Sequence, residues 1–168
     1  MKKKVMALVL SALMVTGLVG CGNNNDNSAD SKESTLKVGM ITDSGTIDDK
    51  SFNQGTWEGI IEAEEKLGIE KNYLKPSGET EADYLTEIQN LYDSGYKFIV
   101  GPGFKLETAI YKAQEKYQDA KFVILDGAPM DEDGNYVVAD NTVGVYFAEE
   151  QSGFIAGVAS AVQLKSGD

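Results

Sequence analysis

Residues Leu36-Lys37-Val38-Gly39-Met40-Ile41 form a short apolar run that stops at Thr42-Asp43. A loop rich in Ser, Gly and Asp follows. Apolar residues then return at helical spacing, with Phe52, Thr56, Ile60, Ala63 and Leu67 on one face of a helix from Ser51 to Leu67. Strand, polar loop and helix make one βα unit, and the unit recurs along the chain. A chain built this way has to bury both faces of its strands under helices, which few architectures other than a parallel sheet allow.

The repeats follow in order. A short strand near Tyr73-Leu74-Lys75 leads through Pro76-Ser77-Gly78 to a helix from Glu81 to Ser94, striped by Tyr84, Ile88, Leu91 and Tyr92 and stopped by Gly95. Phe98-Ile99-Val100 is the third strand. The helix after it, Lys105 to Tyr117, turns Leu106, Ala109, Ile110, Ala113 and Tyr117 inward. Lys121 to Leu125 is the fourth strand and ends at Asp126. Two extended pieces, Val137–Ala139 and Val143–Val145, precede a last helix from Ala148 to Lys165, for which Gly167 reads as a cap. Its many small residues predict tight packing. Gly55 and Gly59 share a face of the first helix, where they are expected to let it approach the sheet closely. Asp48 or Asp49 is placed to cap that helix. Right-handed crossovers then predict an α/β fold, a doubly wound, mainly parallel sheet of flavodoxin-like type with strand order 2-1-3-4-5.

The start of the chain has a different character. Residues 1–20 read as an export signal: Lys2, Lys3 and Lys4 precede an apolar stretch, Val5 to Val19, too short for a comfortable transmembrane helix. Leu18-Val19-Gly20-Cys21 matches a lipobox, so Cys21 is the expected lipidation site. It is the only cysteine and has no intrachain partner for a disulfide. Two or more acyl chains hold a protein firmly on a membrane. Residues 21–35 are polar and low in complexity, as expected of a disordered tether. Residues 36–168 are left for the folded part.

Charge and composition narrow the partners. The formal net charge is −12, and loss of the three signal lysines takes it to −15. That disfavours nucleic acid. With neither His nor Arg in the chain, histidine catalysis, histidine metal ligation and bidentate guanidinium binding of anions are excluded within it. Thr42 and Ser51 have no His to activate them as nucleophiles. Gly101-Pro102-Gly103 lacks the further residues of a phosphate-binding loop and reads as a tight turn.

Asp43 and Asp126 both end predicted strands, at the edge where open parallel sheets bind ligands. A carboxylate only accepts hydrogen bonds, so the pair suits a ligand rich in NH and OH donors, such as a nucleoside; capping of a turn is the competing role. Ser44 and Asn53 are further candidates for polar contacts in the same loop and helix start. Phe52 reads as core by its spacing, although its ring could also stack on a planar base. Asp48 and Asp49 could pair on a metal, but capping and the helix dipole explain them without one.

Four segments carry a family resemblance: residues 39–59 (GMITDSGTIDDKSFNQGTWEG), 98–104 (FIVGPGF), 122–127 (FVILDG) and 141–157 (NTVGVYFAEEQSGFIAG). In order and spacing they resemble the basic membrane protein family, nucleoside-binding lipoproteins of ABC importers. The resemblance covers the chain from about Leu36 onward. It implies one lobe of a type I periplasmic-binding-protein fold, with nucleoside contacts at Asp43 and Asp126 and an aromatic wall at Phe52. The family often has Asn where Ser44 stands. The resemblance further implies a non-enzymatic receptor without a cofactor, anchored on the extracytoplasmic face of the cell membrane, with ABC permease and ATPase subunits as partners. The second lobe of such receptors is absent from these residues, which are therefore expected to bind a nucleoside weakly and to expose an apolar edge near the last helix. Two other readings compete: an exported Mg²⁺-dependent phosphotransfer domain, and a surface lipoprotein that senses or adheres without transport.

Overall fold

The computed structural model describes residues 35–166. The signal, Cys21, the tether as far as residue 34 and the Gly167 cap lie outside the described residues. Strands and helices alternate as β1 (Lys37–Ile41), α1 (Phe52–Leu67), β2 (Glu70–Leu74), α2 (Glu81–Asp93), β3 (Phe98–Pro102), a 3₁₀ turn (Phe104–Leu106), α3 (Glu107–Lys116), β4 (Lys121–Leu125), β5 (Thr142–Val145) and α4 (Glu149–Ser166). The sheet is parallel throughout, in the order β2-β1-β3-β4-β5. This is the predicted α/β topology.

Alternation along the strands divides the core into two layers. Ile41, Ile99, Phe122 and Ile124 pack with Tyr84, Ile88 and Leu91 of α2 and with Ala109, Ile110 and Ala113 of α3. Val38, Met40 and Val100 pack on the other face with Ile60 of α1 and with Ile69. Each large apolar side chain buried in this way contributes about 1.5–3 kcal/mol. Thr80 starts α2 with a capping box: the Asp83 N–H donates to Thr80 Oγ1 (3.3 Å) and the Thr80 N–H donates to Asp83 Oδ2 (3.0 Å). Gly95, at φ +86°, turns the chain out of it.

The structure corrects several expectations. The inner face of α1 is rotated from the predicted stripe: Asn53 and Ile60 are its buried residues, while Phe52 and Leu67 are exposed. Gly55 and Gly59 point away from the sheet, with nothing within 4 Å of where a Cβ would stand. Close approach is made instead by strand glycines, since a Cβ on Gly39 would meet Leu91 Cδ1 at 2.8 Å and one on Gly101 would meet Leu106 Cδ2 at the same distance. Residues 137–139 form no strand; the Gln114 amide holds them as a loop, donating to the Val137 carbonyl (2.8 Å) and accepting from the Ala139 N–H (3.2 Å). The tight packing expected of the last helix is not found: every side chain described in α4, residues 149–165, is exposed.

Candidate functional site

The order β2-β1-β3 places the topological switch point beside β1, and the loop leaving β1 forms the edge where ligands of such sheets sit. Asn53, in the first turn of α1, organises that loop. Its Oδ1 accepts from the Asp43 N–H (3.1 Å), and its Nδ2 donates to Asp43 Oδ1 (2.6 Å) and Asp49 Oδ2 (2.7 Å). Only 1 % of Asn53 is exposed, so the amide is spent within the loop. Gly45 donates its N–H to Asp43 Oδ1 (2.9 Å). A Cβ on Gly45 would lie 2.5 Å from Asn53 Nδ2, so a larger residue there would push this amide aside.

Asp49 caps α1, accepting from the N–H groups of Ser51 (2.8 Å) and Gln54 (3.2 Å). Desolvation works against its charge, but these bonds and the Asn53 amide hold its carboxyl below the usual range. Asp48 is occupied by the Thr46 hydroxyl. Among the described residues, no three acidic, His or Cys side chains converge as a metal site.

Asp43 Oδ1 carries the loop bonds, and a Cβ on Gly103 would stand 3.7 Å from Oδ2, so this oxygen faces the turn after β3. Ser44 is exposed and accepts from Lys105 Nζ (3.1 Å), which also pairs with Glu79 (2.6 Å). One lysine thus ties the loops after β1, β2 and β3 together. Asp126 ends β4 in the left-handed region, at φ +58°, a conformation that Asp tolerates better than most residues. Its N–H donates to the Val145 carbonyl (2.7 Å). A hydrogen bond with Glu149, then burial, then the Glu149 charge hold the Asp126 carboxyl above the usual range. Asp43 and Asp126 end strands separated by β3, which sets them about 10 Å apart along the sheet edge.

Phe52 is 42 % exposed and Phe147, just after β5, is 48 % exposed. Their ring centroids lie 5.8 Å apart with planes tilted by 31°. The two rings, with Ser51, Gly55, Thr56 and Leu125, line an open cavity of about 350 Å³. Sequence reasoning missed Phe147, Glu149, Glu107 and Lys105. The rule that selected Asp126, a residue just past the C-terminal end of a strand, also selects Phe147. A second hollow, of about 420 Å³, lies among Leu36, Lys37, Gly95, Lys97, Phe98 and Lys121, where the strands begin. That is the edge opposite the one such sheets use for ligands, and Lys37 and Lys97 there are already paired with Glu70 and Asp119.

Over 176 aligned residues the chain is 34% identical to a CD4+ T-cell-stimulating antigen of Listeria innocua, covering 99% of this chain and 47% of that protein. It is 33% identical to the ABC transporter nucleoside-binding protein BmpA of Lactococcus lactis subsp. cremoris, covering 99% and 46%. The chain thus spans about half the length of the curated relatives it matches. Its fold is shared with an ABC transporter solute-binding protein of Aeropyrum pernix K1, at a TM-score of 0.63 and 24% identity over 79% of this chain and 35% of that one. A family model described as ABC transporter substrate-binding protein PnrA-like matches residues 36–168. These matches agree with the resemblance carried by the four sequence segments, and the chain belongs to the PnrA-like family of ABC transporter substrate-binding proteins.

Proposed function

We propose that this lobe binds a nucleoside, of the purine class, for delivery to an ABC permease and its ATPase. The observation that carries the proposal is the pairing of two half-exposed aromatic rings, Phe52 and Phe147, over one cavity, at the sheet edge where the strands leading to Asp43 and Asp126 end. The rings offer a face to a planar base, worth about 0.5–1.5 kcal/mol beyond area burial. The carboxylates accept from NH and OH groups, with Asp43 Oδ2 left over from the loop bonds. Asn53 acts behind Asp43, holding it, while Ser44 stays within reach of a ligand at the rim. The acids around the site, and the pairing of Lys105 with Glu79, discriminate against phosphorylated ligands. The Lactococcus relative named as nucleoside-binding supports the same class.

The receptor reaches its membrane in this proposal through a signal at residues 1–20, lipidation at Cys21 and a tether over residues 21–35, with the binding lobe at 36–168. An uncharacterized lipoprotein of Pyrococcus abyssi, 28% identical, supports the anchor. Closure of a second lobe over this one would desolvate the ligand, and no chemical step is involved.

Titration of the chain with adenosine, AMP, adenine and ribose, with and without Mg²⁺, tests the ligand class by NMR shift perturbation. Saturable adenosine binding independent of Mg²⁺, weakened by about 1–3 kcal/mol in Asp126→Ala, is expected. Binding that needs Mg²⁺, or that prefers AMP, would favour the phosphotransfer reading instead.

A further inference from the structure

Glu107 begins α3 with only 8 % of its surface exposed. Burial pushes its carboxyl above the usual range, opposed by one hydrogen bond from the Ala128 N–H to Oε1, at 3.3 Å. A buried carboxyl with a single long bond costs stability, so packing gives no reason for an acid at this position. Its contacts do. Ala128 lies in the turn that leaves Asp126. The Met130 N–H, from the same turn, donates to the Glu107 backbone carbonyl at 3.3 Å. Gly127 lies between Asp126 and Ala128, where a Cβ would stand 2.8 Å from Glu107 Oε1. From the other side, a Cβ on Gly144 of β5 would stand 2.8 Å from the Gly127 carbonyl oxygen. Residues 126–130 are therefore held between the start of α3 and the strand β5.

We propose that Glu107 is a positioning residue for the candidate site: by accepting from the Ala128 N–H it holds the turn that keeps Asp126 in its left-handed conformation, with its carboxyl at the sheet edge. Glu107 does not touch the ligand. The proposal rests on the reading of Asp126 as a ligand contact, and its test is arranged so that the two can fail separately.

Three variants of the full chain separate the roles of Glu107. Glu107→Gln keeps an acceptor without charge, Glu107→Met keeps the volume without an acceptor, and Glu107→Ala removes both. Amide exchange at Ala128 and the Asp126 side-chain carboxyl ¹³C resonance report the turn with no ligand present, and an adenosine titration reports the site. In Glu107→Met, protection at Ala128 is expected to fall by about tenfold, the loss of one hydrogen bond, with a shifted Asp126 resonance and adenosine binding weakened about tenfold. Glu107→Gln should restore both the protection and the affinity to within about twofold, a rescue that general destabilisation would not produce. If Glu107→Ala fails to fold, the Met and Gln pair decides. The proposal is overturned if Glu107→Met leaves Ala128 and Asp126 unchanged, or if Glu107→Gln loses as much as Glu107→Met, because charge rather than an acceptor would then be what matters. If no form binds adenosine, the nucleoside reading falls, while the exchange and ¹³C comparison still decides the role of Glu107.

Discussion

Helices α3 and α4 each follow a strand, begin with an acid and are rich in small or apolar residues, yet they have opposite fates. In α3, Glu107, Ala109, Ile110, Ala113 and Gln114 are buried. In α4, Phe154, Ile155, Val158, Val162 and Leu164 all lie exposed. The difference is cover rather than hydrophobicity. The apolar residues of α3 gather on one face, which the sheet covers, and Lys112 and Lys116 beside it reach Glu81 and Gln89 of α2. In α4, Phe154, Ile155, Val158 and Val162 also share one face, at spacings of one, four and eight residues with Leu164 off it, but that face lies exposed. Among the described residues no helix is long and apolar enough to cross a membrane, so a bilayer span does not account for α4.

The largest effect expected from this contrast is on stability. Ile110→Ala should cost about 2–5 kcal/mol, because the side chain is fully buried against the sheet. Ile155→Ala in α4 should stay within about 0.5 kcal/mol. Urea denaturation of both variants measures the gap, and equal losses would mean that α4 is packed in solution.

Glycines sharpen the contrast at a smaller scale. Gly101→Ala should lower the unfolding midpoint by the equivalent of about 1–3 kcal/mol, because a methyl group there meets Leu106 Cδ2 at 2.8 Å and Ile110 Cδ1 at 3.0 Å. Gly153→Ala meets nothing within 4 Å and should favour helix by about 0.5–1 kcal/mol, seen as increased helical circular dichroism with an unchanged midpoint. A raised midpoint would show that α4 unfolds together with the lobe.

The smallest effects are in pH dependence. The Glu107 carboxyl is raised in the fold by burial above its ordinary 4.5. The folded state therefore holds its proton longer than the unfolded chain does. The stability attached to this group is full below 4.5 and is lost as pH rises through the higher folded value. Glu107→Gln should flatten that part of the stability profile. At the start of α4, Glu149→Gln removes a neighbouring charge, so the Asp126 midpoint should fall toward the ordinary carboxylate value, read by ¹³C NMR. An Asp126 midpoint that stays in place would mean that burial, not Glu149, raises it.

Much of the fold was legible because its signals are local. The Lys121–Leu125 strand, the buried residues Tyr84, Ile88 and Leu91 of α2 and the inward face of α3 all follow from periodicity and stop residues close in sequence. Strand order followed from the handedness of crossovers between consecutive elements. The same rules placed Asp43 and Asp126 at the ends of β1 and β4. The phase of α1 was not legible. A helix starting near Ser51 could turn either Phe52 or Asn53 inward, and hydropathy favours Phe52. The choice went to Asn53, whose amide satisfies Asp43 and Asp49 at once.

The sequence by itself determined the alternating α/β plan, the acidic character of the lobe and the strand-ending carboxylates, because spacing and charge are properties of neighbouring residues. Only the tertiary structure decided that Phe52 faces outward to Phe147, that Glu107 reaches the turn beyond Asp126, and that the side chains of α4 lie exposed. Each of those outcomes depends on which distant segments meet. A polar group committed to a bond across the fold, or an apolar face left without a partner, becomes visible only when the chain is folded.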